Sequence, residues 1–164
     1  MTTCFYCTPE WLAETDAHYP KNPKLKERLQ KLTIKMAYRI TAEPAWGIDE
    51  DIIFCLFLDA GDLTRIEFLT EEQATQEAEY ILSATPQEWK RLLRQEGKFV
   101  TEFILGKVSL EQGSRVGILG VAPHADTVVE ALTQVTLQFP DELTAGELEA
   151  YRANMQTFRQ ELGV

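Results

Sequence analysis

Positive charge is scarce in this chain: 16 Lys and Arg face 26 Asp and Glu, leaving a net charge of −10. A field of that sign repels phosphate backbones and anionic membrane surfaces at long range. The densest basic group, Lys21, Lys24, Lys26, Arg28 and Lys31, has Glu27 inside it. No nucleic-acid partner is therefore expected, and a polyanionic ligand such as a coenzyme A ester is disfavoured. Long hydrophobic runs are also missing. The longest, Ile52 to Leu58, has seven residues, far short of the ~20 a membrane-spanning helix needs. Stable membrane insertion is not expected. The start, Met1-Thr2-Thr3-Cys4, has neither the basic nor the apolar region of a signal peptide. Cysteine is limited to Cys4, Cys7 and Cys55, an odd number that does not suit a secreted disulfide framework. A reducing cytoplasm fits these absences.

Catalytic and cofactor motifs are absent as well. No GxSxG, HExxH or GxGxxG occurs, and Gly117-Ile118-Leu119-Gly120 is too short and apolar for a phosphate loop. Cys4-Phe5-Tyr6-Cys7 has the spacing of a redox or zinc half-site, but no second such pair exists and His18 and His124 are the only histidines. A structural zinc needs about four ligands. A thioredoxin-type site needs its cysteines at a strand-to-helix junction inside a βαβ unit. No metal, cofactor or catalytic residue is assigned. His124, just after Pro123, reads as a surface or capping residue, and Cys55 as a core thiol.

What the chain has is apolar content, 45% of residues, in patterns that define elements. With 164 residues it is read as one domain over residues 1–164. Residues 1–31 form a helical N-terminal arm, 32–139 a core and 140–164 a C-terminal helix. Thr8-Pro9-Glu10 opens a helix, with a cap, a proline in the first turn and an acid at the positive dipole end. It should run to His18. Tyr19 to Pro23 breaks it, and a short helix covers Lys24 to Gln30. Leu32 to Ala42 alternates: Leu32, Ile34, Met36, Tyr38 and Ile40 share a face, the signature of a half-buried strand. Asp51 to Asp59 is apolar on both faces and reads as a central strand. Ala60-Gly61-Asp62 is a hairpin turn into a third strand, Leu63 to Leu69, so an antiparallel meander is expected.

Thr70-Glu71-Glu72-Gln73 is a capping box opening a short helix, and Ala78 to Ala84 is preferred as a strand. Thr85-Pro86-Gln87-Glu88 starts a helix expected to end near Gln95, with Gly97 as its stop. Phe99 to Leu105 reads as a short helix ended by Gly106, and Lys107 to Glu111 as a strand. Arg115 to Val121 forms a further short helix. Pro123 should start a helix with the stripe Val128, Leu132, Val135 and Phe139. Thr144 to Glu147 is another capping box, and the last helix carries Leu148, Tyr151, Met155, Phe158 and Leu162 at helical spacing.

The stretch Ala78 to Thr85, then Trp89 to Leu93, then Phe99 to Leu110 with Gly106-Lys107 leading a strand, resembles the sterol carrier protein 2 (SCP-2) family. The likeness covers about Leu25 to Phe139, and the Tyr19 to Pro23 turn resembles stand-alone bacterial members. It implies an α/β (α+β) fold: a mostly antiparallel five-stranded sheet covered by helices, with an apolar tunnel between them. It implies non-catalytic binding, and transfer, of a fatty acid, sterol or related lipid. One departure stands out. The family strand usually continues after Gly-Lys with basic residues and a Gly-Asp turn, whereas here Val108-Ser109-Leu110-Glu111-Gln112-Gly113-Ser114 follows. That loss of charge argues against an acyl-CoA headgroup at this edge.

Without the resemblance, the apolar surplus reads as one well-packed core; with it, part of the surplus lines a cavity. The expected lining is Phe54, Leu56, Trp89, Phe99, Phe103, Ile104 and Val108, with Met155 and Phe158 as a lid. Burying a sixteen-carbon chain at about 0.8 kcal/mol per methylene offers on the order of 10 kcal/mol before association costs. The alternative is an interaction module without ligand, a homodimer using the apolar stripe of the Leu148 to Leu162 helix. An enzyme built on His124 or Cys7 has only the presence of those residues behind it.

Overall fold

The computed structural model describes all residues, 1–164. The elements in chain order are β1 (Thr3–Phe5), α1 (Pro9–His18), α2 (Pro23–Leu29), β2 (Ile34–Ile40), β3 (Ile52–Asp59), β4 (Asp62–Leu69), α3 (Glu71–Glu77) and β5 (Tyr80–Ala84). There follow α4 (Pro86–Leu93), α5 (Phe99–Ile104), β6 (Ser109–Gln112), α6 (Arg115–Val121), α7 (Ala125–Leu132), β7 (Thr136–Gln138) and α8 (Ala145–Leu162). The main sheet has five strands in the order β4-β3-β2-β5-β6. Every neighbour pair is antiparallel except β2 and β5, which run parallel. The fold class expected from the resemblance is therefore present.

The meander forms because its period-two pattern leaves one face to bury. Met36 pairs with Leu56 and Tyr38 with Phe54 across β2 and β3. Met36, Phe54 and Leu56 join a cluster of 35 buried residues on the inner face of the sheet, and Tyr38 packs against it. The odd residues of β3, Ile53, Cys55 and Phe57, fill a second cluster of eight on the outer face with Ala74 of α3. Two clusters explain why β3 is apolar on both faces. The hairpin after it turns on Ala60 and Gly61, both at positive φ (48° and 83°), as a two-residue turn matched to strand twist requires. A Cβ on Gly61 would lie 2.8 Å from the Gln30 Cα. Tyr19 donates its hydroxyl to the Gly61 carbonyl at 2.5 Å, tying the α1–α2 corner to the turn.

Helix starts follow their caps. Thr8, Thr70, Thr85 and Thr144 each accept from a backbone N–H three residues on. Two stops differ from expectation. α4 ends at Leu93, and the left-handed residue that turns the chain is Gln95 (φ 57°), two positions before Gly97. α7 ends at Leu132, so Val135 and Phe139 do not extend its stripe. They flank β7, which pairs in parallel with β1 as a separate two-stranded sheet, Cys4 opposite Leu137. Neither short strand is foreshadowed by the local pattern. The pairing ties the start of the chain to its last third, and both arms enter the main core: Tyr6 and Trp11 from one, Tyr151, Met155 and Phe158 from the other.

Candidate functional site

A hollow of about 100 Å³ lies between the inner face of the sheet and the helices, lined by 23 residues of which 20 are hydrophobic. Its floor is the sheet: Ile34, Met36 and Tyr38 of β2, Phe54 and Leu56 of β3, and Leu82 of β5. Its walls are Trp89, Leu92 and Leu93 of α4, Ile118 and Val121 of α6, and Val128, Val129 and Leu132 of α7. Tyr6 and Trp11 close one side, and Gly97, Phe99, His124 and Asp126 another. The floor is set by register: residues on the inner face alternate along each strand, so the same parity faces the hollow from three strands.

Aromatic rings form a row along this wall. Tyr38 stacks on Phe54 with centroids 5.0 Å apart, Phe54 meets Trp11 edge-on at 5.4 Å, and Trp11 meets Tyr6 at 5.3 Å. The indoles are fixed by hydrogen bonds: Trp11 Nε1 donates to the Leu132 carbonyl at 2.8 Å and Trp89 Nε1 to the Arg39 carbonyl at 2.9 Å. The first of these pins α1 to the end of α7, and the second pins α4 to the sheet. Burial raises the Tyr6 and Tyr38 phenols above their ordinary value, so both hold their protons.

Of the residues expected to line a cavity, Phe54, Leu56, Trp89 and Phe99 do so. Phe103 is buried beside it, stacked on Phe99 at 5.7 Å. Val108 is buried in the core without reaching the hollow. Ile104 faces out, 67% exposed, because α5 is only about one and a half turns long and Phe99 and Phe103 already fill its inner side. Met155 and Phe158 are not a lid. α8 packs their stripe into the core elsewhere, with Phe158 on Phe68 at 5.4 Å. The residues missed are Tyr6 and Trp11, the floor residues Ile34, Met36, Tyr38 and Leu82, Leu92 and Leu93 of α4, and the α6–α7 wall. Val121 and Val128 carry a visible apolar signal in the sequence, but nothing local shows that α1 and α7 converge.

The other candidates separate from this site. Cys7 lies fully buried and its thiol is pushed up to about 12 by that burial, the opposite of the lowered value a reactive thiol needs. Cys4 is buried in β1, and Cys55 in the outer cluster. No group of three or more His, Cys, Asp and Glu side chains is placed to hold a metal ion. His124 precedes α7 at the rim of the hollow and makes no side-chain hydrogen bond to orient it as a base. No helix is long and apolar enough to cross a membrane.

Solved structures resemble this architecture at low identity. A conserved hypothetical protein from Thermus thermophilus, described as possibly a sterol carrier protein, superposes with a TM-score of 0.71 at 15% identity, over 84% of this chain and 94% of that one. A sterol carrier protein 2 crystal structure gives 0.68 at 16% identity, over 79% of this chain and 98% of that one. The apo form of sterol carrier protein 2 from Yarrowia lipolytica gives 0.52 at 9%, over 76% and 88%. No family model matches the sequence, and neither does any curated protein. The chain is thus an α/β protein in which helices cover one mostly antiparallel sheet. Its fold is that of sterol carrier protein 2.

Proposed function

We propose that this chain binds one apolar ligand, a fatty acid, sterol-like molecule or other lipid, in the hollow between sheet and helices, and hands it on without chemistry. One observation carries the reading: in this fold, an unfilled space is bounded almost wholly by hydrophobic side chains. A space lined that way offers a ligand the transfer of its methylenes out of water, about 0.8 kcal/mol each. Its volume in this structure, about 100 Å³, is below the roughly 300 Å³ of pockets that enclose drug-sized ligands. A lipid chain therefore has to push a wall aside. The wall suited to yield is α5 and α6, which are six and seven residues long. Both are bounded or interrupted by glycine at 97, 106, 113, 117 and 120, and glycine inside a helix weakens it by about 1 kcal/mol relative to alanine.

The interaction-module reading loses its surface here. The stripe of α8 is spent on the protein's own core, and Tyr151 donates its hydroxyl to the Tyr6 carbonyl at 2.6 Å. Leu162 is the one large apolar side chain of that helix left exposed. The carrier reading is of a non-enzymatic protein, placed in a reducing cytoplasm that suits three unpaired thiols. Native mass spectrometry and displacement of a fluorescent fatty acid test it. A one-to-one complex is expected; no complex in either measurement overturns the proposal.

A further inference from the structure

The hollow's few polar atoms are treated unequally. Its two indoles donate to backbone carbonyls. Its two phenols, on Tyr6 and Tyr38, have no hydrogen-bond partner in the chain, although Tyr19 and Tyr151 each donate to a carbonyl. Tyr6 is 1% exposed, yet the only enclosed side-chain oxygens without partners are Glu88 Oε1 and Glu102 Oε2. The Tyr6 hydroxyl therefore borders open space, and the space that Tyr6 lines is the hollow. A buried hydroxyl without a partner lowers stability, and a phenol in the interior ordinarily finds one. Phenylalanine at position 6 would cost nothing of the kind; Tyr38 is half-buried, and its hydroxyl likewise has no partner in the chain.

We infer that a lining phenol, Tyr6 or Tyr38, donates a hydrogen bond to an oxygen of the ligand, and that the ligand is an uncharged oxygenated lipid: a long-chain alcohol, an ester or a protonated acid. This rests on the carrier reading of the same hollow. Two features of the lining set the class. Both phenols keep their protons and so offer donors, which a bare hydrocarbon cannot use. No lysine or arginine lines the hollow, and its one carboxylate, Asp126, stands at the rim bridged to Lys98 at 3.3 Å. An ionised carboxylate brought inside would lose its hydration and meet no lysine or arginine, and the one basic side chain of the lining, His124, stands at the rim; buried charge does not tolerate such isolation. A neutral acceptor loses less on desolvation and regains it from the phenols.

The test uses the full chain loaded with Nile red, a neutral dye, and challenged with dodecanol, dodecane or dodecanoate at neutral pH. In the wild type, dodecanol should displace the dye at least about tenfold better than dodecanoate. The double variant Tyr6→Phe/Tyr38→Phe should weaken dodecanol by about tenfold and leave dodecane unchanged, and the single variants show which phenol carries that loss. A readout without ligand accompanies it. Each Tyr→Phe change should hold or raise Tm in the empty protein, whereas Tyr151→Phe, which removes a made bond, should lower it. Equal dodecanol affinity in wild type and double variant overturns the anchor while leaving the carrier reading intact, as does tighter binding of dodecanoate. If neither the dye nor any of the three ligands binds, the carrier reading falls and the anchor falls with it.

Discussion

Two carboxyl groups are the least expected feature at the level of single residues. Glu88 of α4 and Glu102 of α5 are both buried, 7% and 4% exposed. One oxygen of each has no hydrogen-bond partner. Arg91 stands 3.6 Å from Glu102 and Lys107 stands 3.8 Å from it, too far for good hydrogen bonds. Burial first, and then a hydrogen bond to Glu102 and its charge, raise the Glu88 carboxyl above its ordinary value; Arg91 and Lys107 pull it back. The raised value favours a proton on Glu88, where α4 lies against Glu102 of α5. The sign of its pH dependence follows. A group whose value is raised by folding stabilises the fold at low pH, and that contribution is lost as pH climbs through the raised value. Urea midpoints should accordingly fall as pH rises from the ordinary glutamate value, about 4.3. In Glu88→Gln the amide donates at every pH, so that slope should flatten and stability above the window should rise by about 1 kcal/mol. A Gln variant less stable than wild type at neutral pH would show that the pair is held together in some other way.

At the level of elements, local chemistry is legible in the sequence and distant partnership is not. The four threonine caps, the alternation of β2 and the two-sided apolar β3 are each decided by near neighbours in the chain, and all are readable. The end of α7 is not. Val128, Leu132, Val135 and Phe139 are spaced as a helix face would be, but Val135, Leu137 and Phe139 are equally spaced as a strand face. Thr133 and Gln134 take the chain out of the helix before the ambiguity matters. The competing partner that decides it is β1, at the far end of the sequence, with Thr3 opposite Thr136, which no local pattern reveals. The cavity lining divides the same way. Phe54, Leu56, Trp89 and Phe99 belong to strongly patterned elements in or near the family-like stretch, whereas Tyr6 and Trp11 reach the hollow only because β1 and α1 are pinned to β7 and α7. Met155 and Phe158 escape sequence reasoning because an amphipathic stripe says that a helix buries one face and not what it buries it against. Their placement yields a prediction. Phe158→Ala should cost roughly 3–5 kcal/mol through loss of packing against Phe68 while leaving ligand affinity unchanged, measured by calorimetry on protein that is folded at low temperature. A parallel fall in affinity would put α8 against the ligand after all.

For the molecule as a whole, the question is whether the space between its layers is a packing defect or a site. Interiors are as dense as organic crystals and leave few voids larger than a water molecule. An unfilled hollow lowers stability in proportion to its size, roughly 24 cal/mol per Å³. At about 100 Å³ that is on the order of 2 kcal/mol, a sizeable share of the roughly 5–15 kcal/mol that holds a domain together. A chain with no use for the space would gain by filling it, and a single substitution suffices. Ala125, at the start of α7, lines the hollow with a methyl group and is only half-buried, so a larger side chain can turn inward without displacing the sheet. Ala125→Phe should therefore raise Tm in the empty protein, and it should weaken lipid binding by at least about tenfold, because the ring would occupy the volume that the ligand needs. Stability gained together with binding lost is the signature of a hollow kept open for a ligand. Stability gained with binding intact would mean that the lipid sits elsewhere, and that the hollow is a flaw in packing.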